Sequence, residues 1–367
     1  IRYSVYSIFI ISFFFFFSFM QNFVLNIWKD IGLAISWLFA LALIINALLD
    51  KRKLNWLECI LTLLFLSYGA WIRTNALPGV IPLLSLWLFA INYQDGQNFN
   101  FQKIVPKTIL LSILLIIVQI LITDFVLKPK KLHPEYKLFM HDLSGIYKDS
   151  GKQYYPDFLT KNPAFDTSYI RKHYIYSTFD NIWWNPEHKK IIPSINSEQL
   201  TQLRASWFKA IIRHPLIYLK NRTMGFLDFL RITNSGSLLM ITYNYTEPNS
   251  FGLNYKSRKL TDNIRFLIES QRCMPYMKPW FWFLMTVLLL ILVPKRLTGT
   301  IKIIVLCLAC SSMFYFTLEF IVFQIDSEFR YFYWNCVSVS LSLILIATSY
   351  FSERARTISK LTSNRLK

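Results

Sequence analysis

Three short polar clusters are the strongest candidates for chemistry in this sequence, because each one interrupts an otherwise apolar run. The candidate binding residues in them are Lys29, Asp30, Arg73, Asn75, Asp326, Arg330 and Tyr331. An arginine offers an oxyanion a planar, bidentate fork that a lysine cannot. Aspartate and asparagine side chains can orient such cations or bind hydroxyl groups, and Asp30 is also a candidate catalytic residue. A simpler interpretation is a set of snorkelling anchors with local ion pairs, such as Lys29 with Asp30 or Glu328 with Arg330.

A second candidate is the adjacent pair His141 and Asp142, which lies beyond the fifth apolar segment. A histidine and a carboxylate can share acid–base work, so His141 is a candidate binding residue and Asp142 a candidate catalytic one. On a helix, however, adjacent side chains point about 100° apart, so neither can orient the other. We therefore expect structural hydrogen bonds at this pair. No two of the five histidines have metal-ligand spacing, and no zinc site is expected.

The elements that must position these residues are apolar segments of about 20 residues, the length that spans a bilayer. Eight such segments are predicted, and together they indicate an all-α integral membrane protein. They cover residues 3–27, 31–49, 54–72, 77–93, 108–126, 279–293, 303–325 and 331–351. The domain boundaries follow: a five-span bundle over 1–126, an α-rich extracytoplasmic domain over 127–278, and three spans with a basic tail over 279–367. Segment 3–27 reads as a retained helix rather than a signal peptide. Because the chain opens on Ile1 and not on Met, an upstream portion is expected to be missing.

The distribution of Lys and Arg sets the predicted orientation, since cytoplasmic loops carry an excess of both. With both termini inside, the basic stretches 51–53, 103–107, 295–302 and the C-terminal tail all fall on the cytoplasmic side. The three polar clusters then fall together on the outer face. Glu58 lies about one turn from the inner loop 51–53 and is expected to pair there.

Composition excludes several classes of protein. The chain has 54% hydrophobic and only 17% charged residues, too apolar for a soluble globular domain. Its net charge of +19 is assigned to topogenic loops and to an outer domain facing anionic lipid headgroups, so membrane lipids are expected partners and nucleic acid is not. The sequence has no P-loop, GxGxxG, GxSxG or HExxH motif. Nucleotide-driven chemistry within the chain is therefore not expected. A reaction at the outer face would also lack ATP and nucleotide sugars, so its donor should be preactivated and membrane-borne.

Within the outer region the pattern turns helical from Ser197, with apolar residues recurring at steps of three and four. His214-Pro215 marks a boundary and the start of a second helix, because the residue before a proline avoids the helical region and proline fits a first turn. Both helices are amphipathic. They either lie on the membrane surface or pack within the outer domain.

Several stretches together resemble bacterial polytopic membrane proteins of the GT-C glycosyltransferase type, related to the dolichyl-phosphate-mannose–protein mannosyltransferase group. The stretches are NIWKDIGLAISWLFALALI (26–44), WIRTNALPGVIPLL (71–84), HDLSGIYKDSG with a following YP (141–156), WFKAIIRHPLIYLKNR (207–222) and DSEFRYFYW (326–334). This resemblance covers most of the chain, and no single motif in it is diagnostic.

The resemblance implies an enzyme of the bacterial cytoplasmic membrane that acts in cell-envelope glycan synthesis. It would take a sugar from a polyprenyl-phosphate carrier and place it, with inversion, on a lipid or glycan acceptor at the outer face. A carboxylate in the first outer loop would act as base, and a divalent cation or basic residues would steady the lipid phosphate. In this chain Lys29, Arg73 and Arg330 could stabilise the departing phosphate, while Trp28 and Tyr331 could stack on a sugar or serve as interfacial aromatics. The expected loop with its acid is not apparent.

Three other functions stay open from the sequence. A lipid-linked glycan flippase or other transporter would need polar residues through the membrane depth. An O-antigen polymerase or ligase would use large outer loops with arginine and histidine. A non-catalytic assembly partner is favoured if the polar clusters pair internally.

Overall fold

The structure is a computed structural model, and it describes residues 28–73, 76–96, 99–128, 133–163, 165–183, 195–233, 249–254, 256, 258–318, 320–321 and 329–365. Within those ranges the regular structure is helical, apart from one isolated β-bridge between Ile175 and Thr178. The α-helices are α1 (Lys29–Leu49), α2 (Trp56–Ile72), α3 (Leu77–Ile91), α4 (Phe101–Leu121), α5 (Tyr136–Ser150), α6 (Asp157–Thr160), α7 (Thr167–His173), α8 (Asp180–Trp183), α9 (Ser197–Arg213), α10 (Pro215–Phe229), α11 (Lys259–Ser270), α12 (Pro279–Arg296), α13 (Gly299–Leu318) and α14 (Tyr333–Arg365).

Five of the described helices are long and apolar enough to cross a membrane. They are α1, α4 with its π-helical extension to Leu127, α12, α13, and the stretch Arg330–Phe351 that contains the first part of α14. Two further apolar helices, α2 and α3, are shorter, with 17 and 15 residues. These seven elements coincide with seven of the predicted spans, and the predicted span 3–27 lies outside the described residues. An all-helical protein with several helices suited to a bilayer is therefore confirmed.

The chain divides into two compact units. The first contains α1 to α4 and α11 to α14, and we call it the bundle. The second contains α5 to α10, and we call it the inserted domain.

In the bundle, α1 and α2 run antiparallel and pack closely through one tryptophan. Trp37 is fully buried, donates its indole N–H to the Leu66 carbonyl at 3.0 Å, and meets the Trp334 ring edge-on at 4.8 Å. A Cβ on Gly69 would lie 2.4 Å from the Trp37 Nε1 atom, so glycine is required for this approach. Small residues let apolar helices approach closely in the same way in membranes.

Buried hydroxyl and amide groups join α12, α13 and α14. Asn335 donates to the Ser312 carbonyl at 2.8 Å, and the Thr286 and Ser312 hydroxyls lie 2.9 Å apart. Ser311 donates to the Gly79 carbonyl at 2.6 Å, which connects α13 to α3. Such interhelical hydrogen bonds specify helix packing where no water is present to satisfy the same groups.

The turn between α1 and α2 is basic, with Lys51, Arg52 and Lys53 in sequence. In this turn, the Arg52 guanidinium donates two hydrogen bonds, of 2.7 and 2.8 Å, to the Glu58 carboxylate. The predicted pairing of Glu58 with its basic loop is confirmed. Glu58 also completes a capping box with Asn55, which starts α2.

The inserted domain is built on α5, α9 and α10. A capping box of Asn196 with Gln199 starts α9 at Ser197, and Pro215 occupies the first turn of α10. Both predicted starts, at Ser197 and after His214, are confirmed. Helix α5 ends where Gly151 adopts a left-handed conformation, φ 71°. The apolar faces of these helices enclose one core, which includes Leu143, Ile146, Leu159, Ile170, Leu200 and Leu203.

Candidate functional site

The bundle brings residues of all three predicted polar clusters together at the end opposite the loop that joins α1 and α2. Helix α1 begins at Lys29, and α2, which runs back along it, ends at Ile72 with Arg73 as its C-terminal cap. The short 3-10 helix Phe329–Phe332 supplies Arg330 and Tyr331 to the same place. We call Trp28, Lys29, Asp30, Arg73, Arg330 and Tyr331 the bundle-end cluster.

An ion pair between Asp30 and Arg73 lies at the centre of this cluster. The Arg73 Nη1 atom donates to the Asp30 Oδ2 atom at 2.6 Å, and the two side chains are 16% and 4% exposed. The helix dipoles support the pair, since Asp30 lies in the first turn of α1 and Arg73 at the C-terminus of α2. Arg73 is thus fixed in position while its side chain keeps some exposure.

Two arginines share one aromatic ring above this pair. The guanidinium carbons of Arg73 and Arg330 lie 4.7 and 5.1 Å from the centroid of the Tyr331 ring. Arg330 also lies 5.4 Å from the centroid of Trp28 and donates to the Tyr331 hydroxyl at 3.3 Å. Aromatic faces hold guanidinium groups in place by cation–π attraction, and each guanidinium is a planar group with several N–H donors. The cluster therefore concentrates positive charge at one helix end, where an oxyanion would be the natural ligand.

Of the residues predicted for this site, Asp30, Arg73, Arg330 and Tyr331 lie in contact as described. Lys29 precedes Asp30 in α1 and is exposed. Asn75 and Asp326 lie outside the described residues. The local pairing of Lys29 with Asp30 that the sequence left open is not what the structure has, because Asp30 bonds to Arg73, 43 residues away.

The pair His141 and Asp142 lies on α5 inside the inserted domain, and the two side chains diverge. His141 contacts the Ile175 carbonyl through Nε2 at 3.3 Å, whereas Asp142 accepts from the Trp207 indole at 2.8 Å and from Arg222 at 2.5 Å. The expected structural hydrogen bonds are therefore present. Asp142 and Arg222 are 3% and 4% exposed as side chains, so the pair is sealed inside the domain.

Burial dominates the protonation behaviour of this group. The pKa of His141 is lowered to about 3, mainly by burial and then by the nearby positive charge of Arg222. Burial raises the pKa of Asp142, because it disfavours the charged carboxylate. The positive charge of Arg222 acts in the opposite direction and lowers that pKa. The pKa of the Tyr174 hydroxyl is raised well above its ordinary value by burial and then by the Asp142 charge. These groups form a fixed polar core, with His141 neutral at ordinary pH.

Sequence reasoning missed Arg222, Trp207 and Tyr174, which surround Asp142 and His141. Arg222 is 80 residues from Asp142, on a helix whose sequence pattern indicates only an apolar face. One signal was available in Gly145, one turn beyond His141. A Cβ there would lie 2.6 Å from the Tyr174 hydroxyl and 2.5 Å from the Asn221 amide, so glycine marks the close approach of two other elements.

The resemblance implies that either a divalent cation or basic residues hold the lipid phosphate. The described side chains can be compared with these two alternatives. Across the described ranges, no group of three or more His, Cys, Asp or Glu side chains could hold a metal ion. At the bundle end, the Asp30 carboxylate is already bonded to Arg73. Among the described residues at this end, the side chains left to hold a ligand are basic, and they fit a phosphate.

Comparison of the chain with protein-family models, with curated proteins and with solved structures finds no match.

Proposed function

We propose that this chain is a glycosyltransferase that uses a polyprenyl-phosphate-linked sugar, with the bundle-end cluster as the site for the donor phosphate. The proposal places it in the bacterial cytoplasmic membrane with eight spans, both termini cytoplasmic, and region 127–278 outside the cell. Its role would lie in the synthesis of cell-envelope polysaccharide or glycolipid.

One observation carries the proposal: two arginines flank a single tyrosine ring at the helix end, and a buried aspartate holds one of them. Transfer would form a bond between an acceptor hydroxyl oxygen and the anomeric carbon while the bond from that carbon to the phosphate oxygen breaks. The polyprenyl phosphate leaves with the electron pair, so negative charge grows where Arg73 and Arg330 lie. Preorganised donors aimed at developing charge typically contribute about 10²–10³ in rate.

Asp30 would position Arg73 and not accept the hydroxyl proton, because its carboxylate is buried and bonded to that guanidinium. Asp142 is enclosed in the core of the inserted domain, bonded to Trp207 and Arg222. Neither Asp30 nor Asp142 is therefore proposed as the general base. The resemblance places that base in a first outer loop.

The proposed orientation draws support from the opposite end of the bundle. Lys51, Arg52 and Lys53 occupy the turn between α1 and α2, and Lys295 and Arg296 end α12. Lys51 pairs at 2.9 Å with Asp95, just beyond α3, and Tyr93 in the same turn lies 3.5 Å from Thr300 at the start of α13, so these basic turns share one end of the bundle. An excess of Lys and Arg is typical of the cytoplasmic side.

The test is transfer by the full chain in proteoliposomes supplied with a panel of radiolabelled polyprenyl-phosphate hexoses and pentoses. We expect label to move from one of these donors into a lipid or glycan fraction. Arg73→Gln and Arg330→Gln should each reduce the rate by about 10²-fold, and Arg330→Lys should recover only part because it lacks the fork. Lys51→Gln, at the other end of the bundle, is the matched control and should keep the wild-type rate.

Two results would overturn the proposal. One is a transfer rate in Arg73→Gln equal to that of Lys51→Gln. The other is movement of intact donor across the bilayer with no sugar transferred, which would assign the chain to the transporter class.

A further inference from the structure

A groove on the inserted domain carries a second concentration of positive charge. It has a volume of about 560 Å³ and lies between α9 and the extended segment that follows α5. Lys209 and Arg213 project into it from α9, and Lys152 reaches it from the segment. In the part of the chain that the structure describes, none of these three cations forms an ion pair. The one carboxylate in the lining, Asp157, is paired with Lys161 at 2.8 Å.

The backbone explains why these side chains converge. Ser206, Lys209 and Arg213 are separated by three and four residues, which places them on one face of α9. The opposite wall is held by two tyrosines: the Tyr154 hydroxyl lies 2.9 Å from His214 Nε2, and the Tyr155 hydroxyl donates to Ser144 at 2.9 Å. One wall of the groove is thus a helix, and the other is joined by these hydrogen bonds to His214 and to α5.

The lining matches a sugar better than a lipid. Tyr154 offers a half-buried ring beside the cations, while Gln153 and Ser206 offer uncharged hydrogen-bonding groups. Among the described residues that line the groove there is no Leu, Ile, Val or Met, so no surface is provided for an acyl chain. Aromatic rings and uncharged polar groups suit a sugar ring, and unpaired cations suit an oxyanion attached to it.

We propose that this groove binds an anionic sugar, that is, a sugar ring bearing a phosphate or carboxylate group. The inference goes beyond the proposed function, because it rests only on residues of the inserted domain. An anionic glycan held here would be a ligand separate from the one at the bundle-end cluster.

The experiment measures binding and not transfer, with the full chain in nanodiscs of neutral phosphatidylcholine. The probe is glucose 1-phosphate, titrated calorimetrically, with glucose as its uncharged counterpart. We expect Lys209→Gln/Arg213→Gln to weaken binding of glucose 1-phosphate by at least about tenfold, because hydrogen bonds to charged groups typically contribute that factor or more. Glucose should bind the wild-type chain at least about tenfold more weakly than its phosphate.

The matched control is Arg204→Gln/Lys172→Gln, which removes the same charge from exposed positions outside the groove. It should bind like the wild type. Both variants are titrated in an Arg73→Gln/Arg330→Gln background, which removes the proposed phosphate site at the bundle end, so failure here and failure of the proposed function give different results. Equal affinity in the groove variant and its control would overturn the inference. So would loss of binding when the disc contains phosphatidylglycerol, because headgroup phosphates would then occupy the groove; unchanged binding in such discs supports the sugar.

Discussion

Two buried ion pairs of the same residue types, Asp30 with Arg73 and Asp142 with Arg222, differ in what surrounds them. Asp142 and Arg222 are enclosed by the core of the inserted domain, with Trp207 as an additional donor. Asp30 and Arg73 lie at helix ends, and Arg73 keeps 16% of its side chain exposed beneath a tyrosine shared with Arg330. An ion pair that is sealed can only support the fold. One that leaves a fixed cation at a surface can also meet a ligand.

The largest loss of stability is expected from breaking the enclosed pair of Asp142 and Arg222. Arg222→Met should destabilise the inserted domain by about 3–5 kcal/mol, because it leaves the Asp142 carboxylate buried without its charged partner. The measurement is the urea midpoint for proteolysis of the domain in the detergent-solubilised chain.

Two further variants make this prediction sharper. Asp142→Leu/Arg222→Met should recover most of the loss, since both charges are then gone. Lys220→Met removes a cation two residues away whose partner, Asp149, lies at 3.0 Å and whose own side chain is 59% exposed. It should have little effect, and a midpoint for Arg222→Met no lower than that of Lys220→Met would show that the enclosed pair does not support the domain.

Much of the bundle could be predicted from the sequence, and the pairing of its charges could not. Apolar runs of span length reveal helices directly, and alternation of spans places Asp30, Arg73 and Arg330 at one end. Which carboxylate meets which cation depends on how α1 and α2 rotate about their axes, and hydropathy carries no information on rotation. The sequence therefore left a local Lys29–Asp30 pair open, whereas the Trp37–Gly69 contact sets a rotation that turns Asp30 towards Arg73.

The inserted domain was less predictable because its polar core joins residues far apart in the chain. Helix starts at Ser197 and Pro215 have local causes, namely a capping box and a proline in a first turn, and so were found. Asp142 and Arg222 belong to helices whose contact is set by long-range packing. The basic groove also escaped notice, because the segment 152–156 and α9 are brought together by the fold.

The enclosed pair also gives the inserted domain a pH dependence of definite sign. His141 has a pKa of about 3 in the folded chain, below the ordinary value near 6.5. Above pH 6.5 neither state is protonated and no penalty arises. As the pH falls below 6.5, this histidine binds a proton in the unfolded state and stays neutral in the folded state. Stability is therefore lost progressively down to about pH 3, by about 2 kcal/mol at pH 5.

The groups facing His141 can modify this slope. Arg222 acts in the same direction by lowering the His141 pKa. The raised pKa of Asp142 acts in the opposite direction, since the folded state then binds a proton more readily than the unfolded one. Comparing His141→Gln with the wild type isolates the histidine, because glutamine keeps a donor for the Ile175 carbonyl and does not titrate. The urea midpoint of the wild type should fall more between pH 7 and pH 5; identical slopes would contradict the assignment.

A smaller loss of stability is expected from the ion pair at the bundle end than from the enclosed pair. Asp30→Asn should cost only about 1 kcal/mol, because the asparagine can still accept from Arg73, and Arg73 retains its exposure and the Tyr331 ring. The thermal midpoint of the purified chain, read beside that of Arg222→Met, measures the difference between the two pairs. A loss at Asp30 as large as that at Arg222 would make both pairs structural and remove the contrast. A small loss, combined with a large fall in transfer for Arg73→Gln, would separate the charge that supports a fold from the charge that serves a ligand.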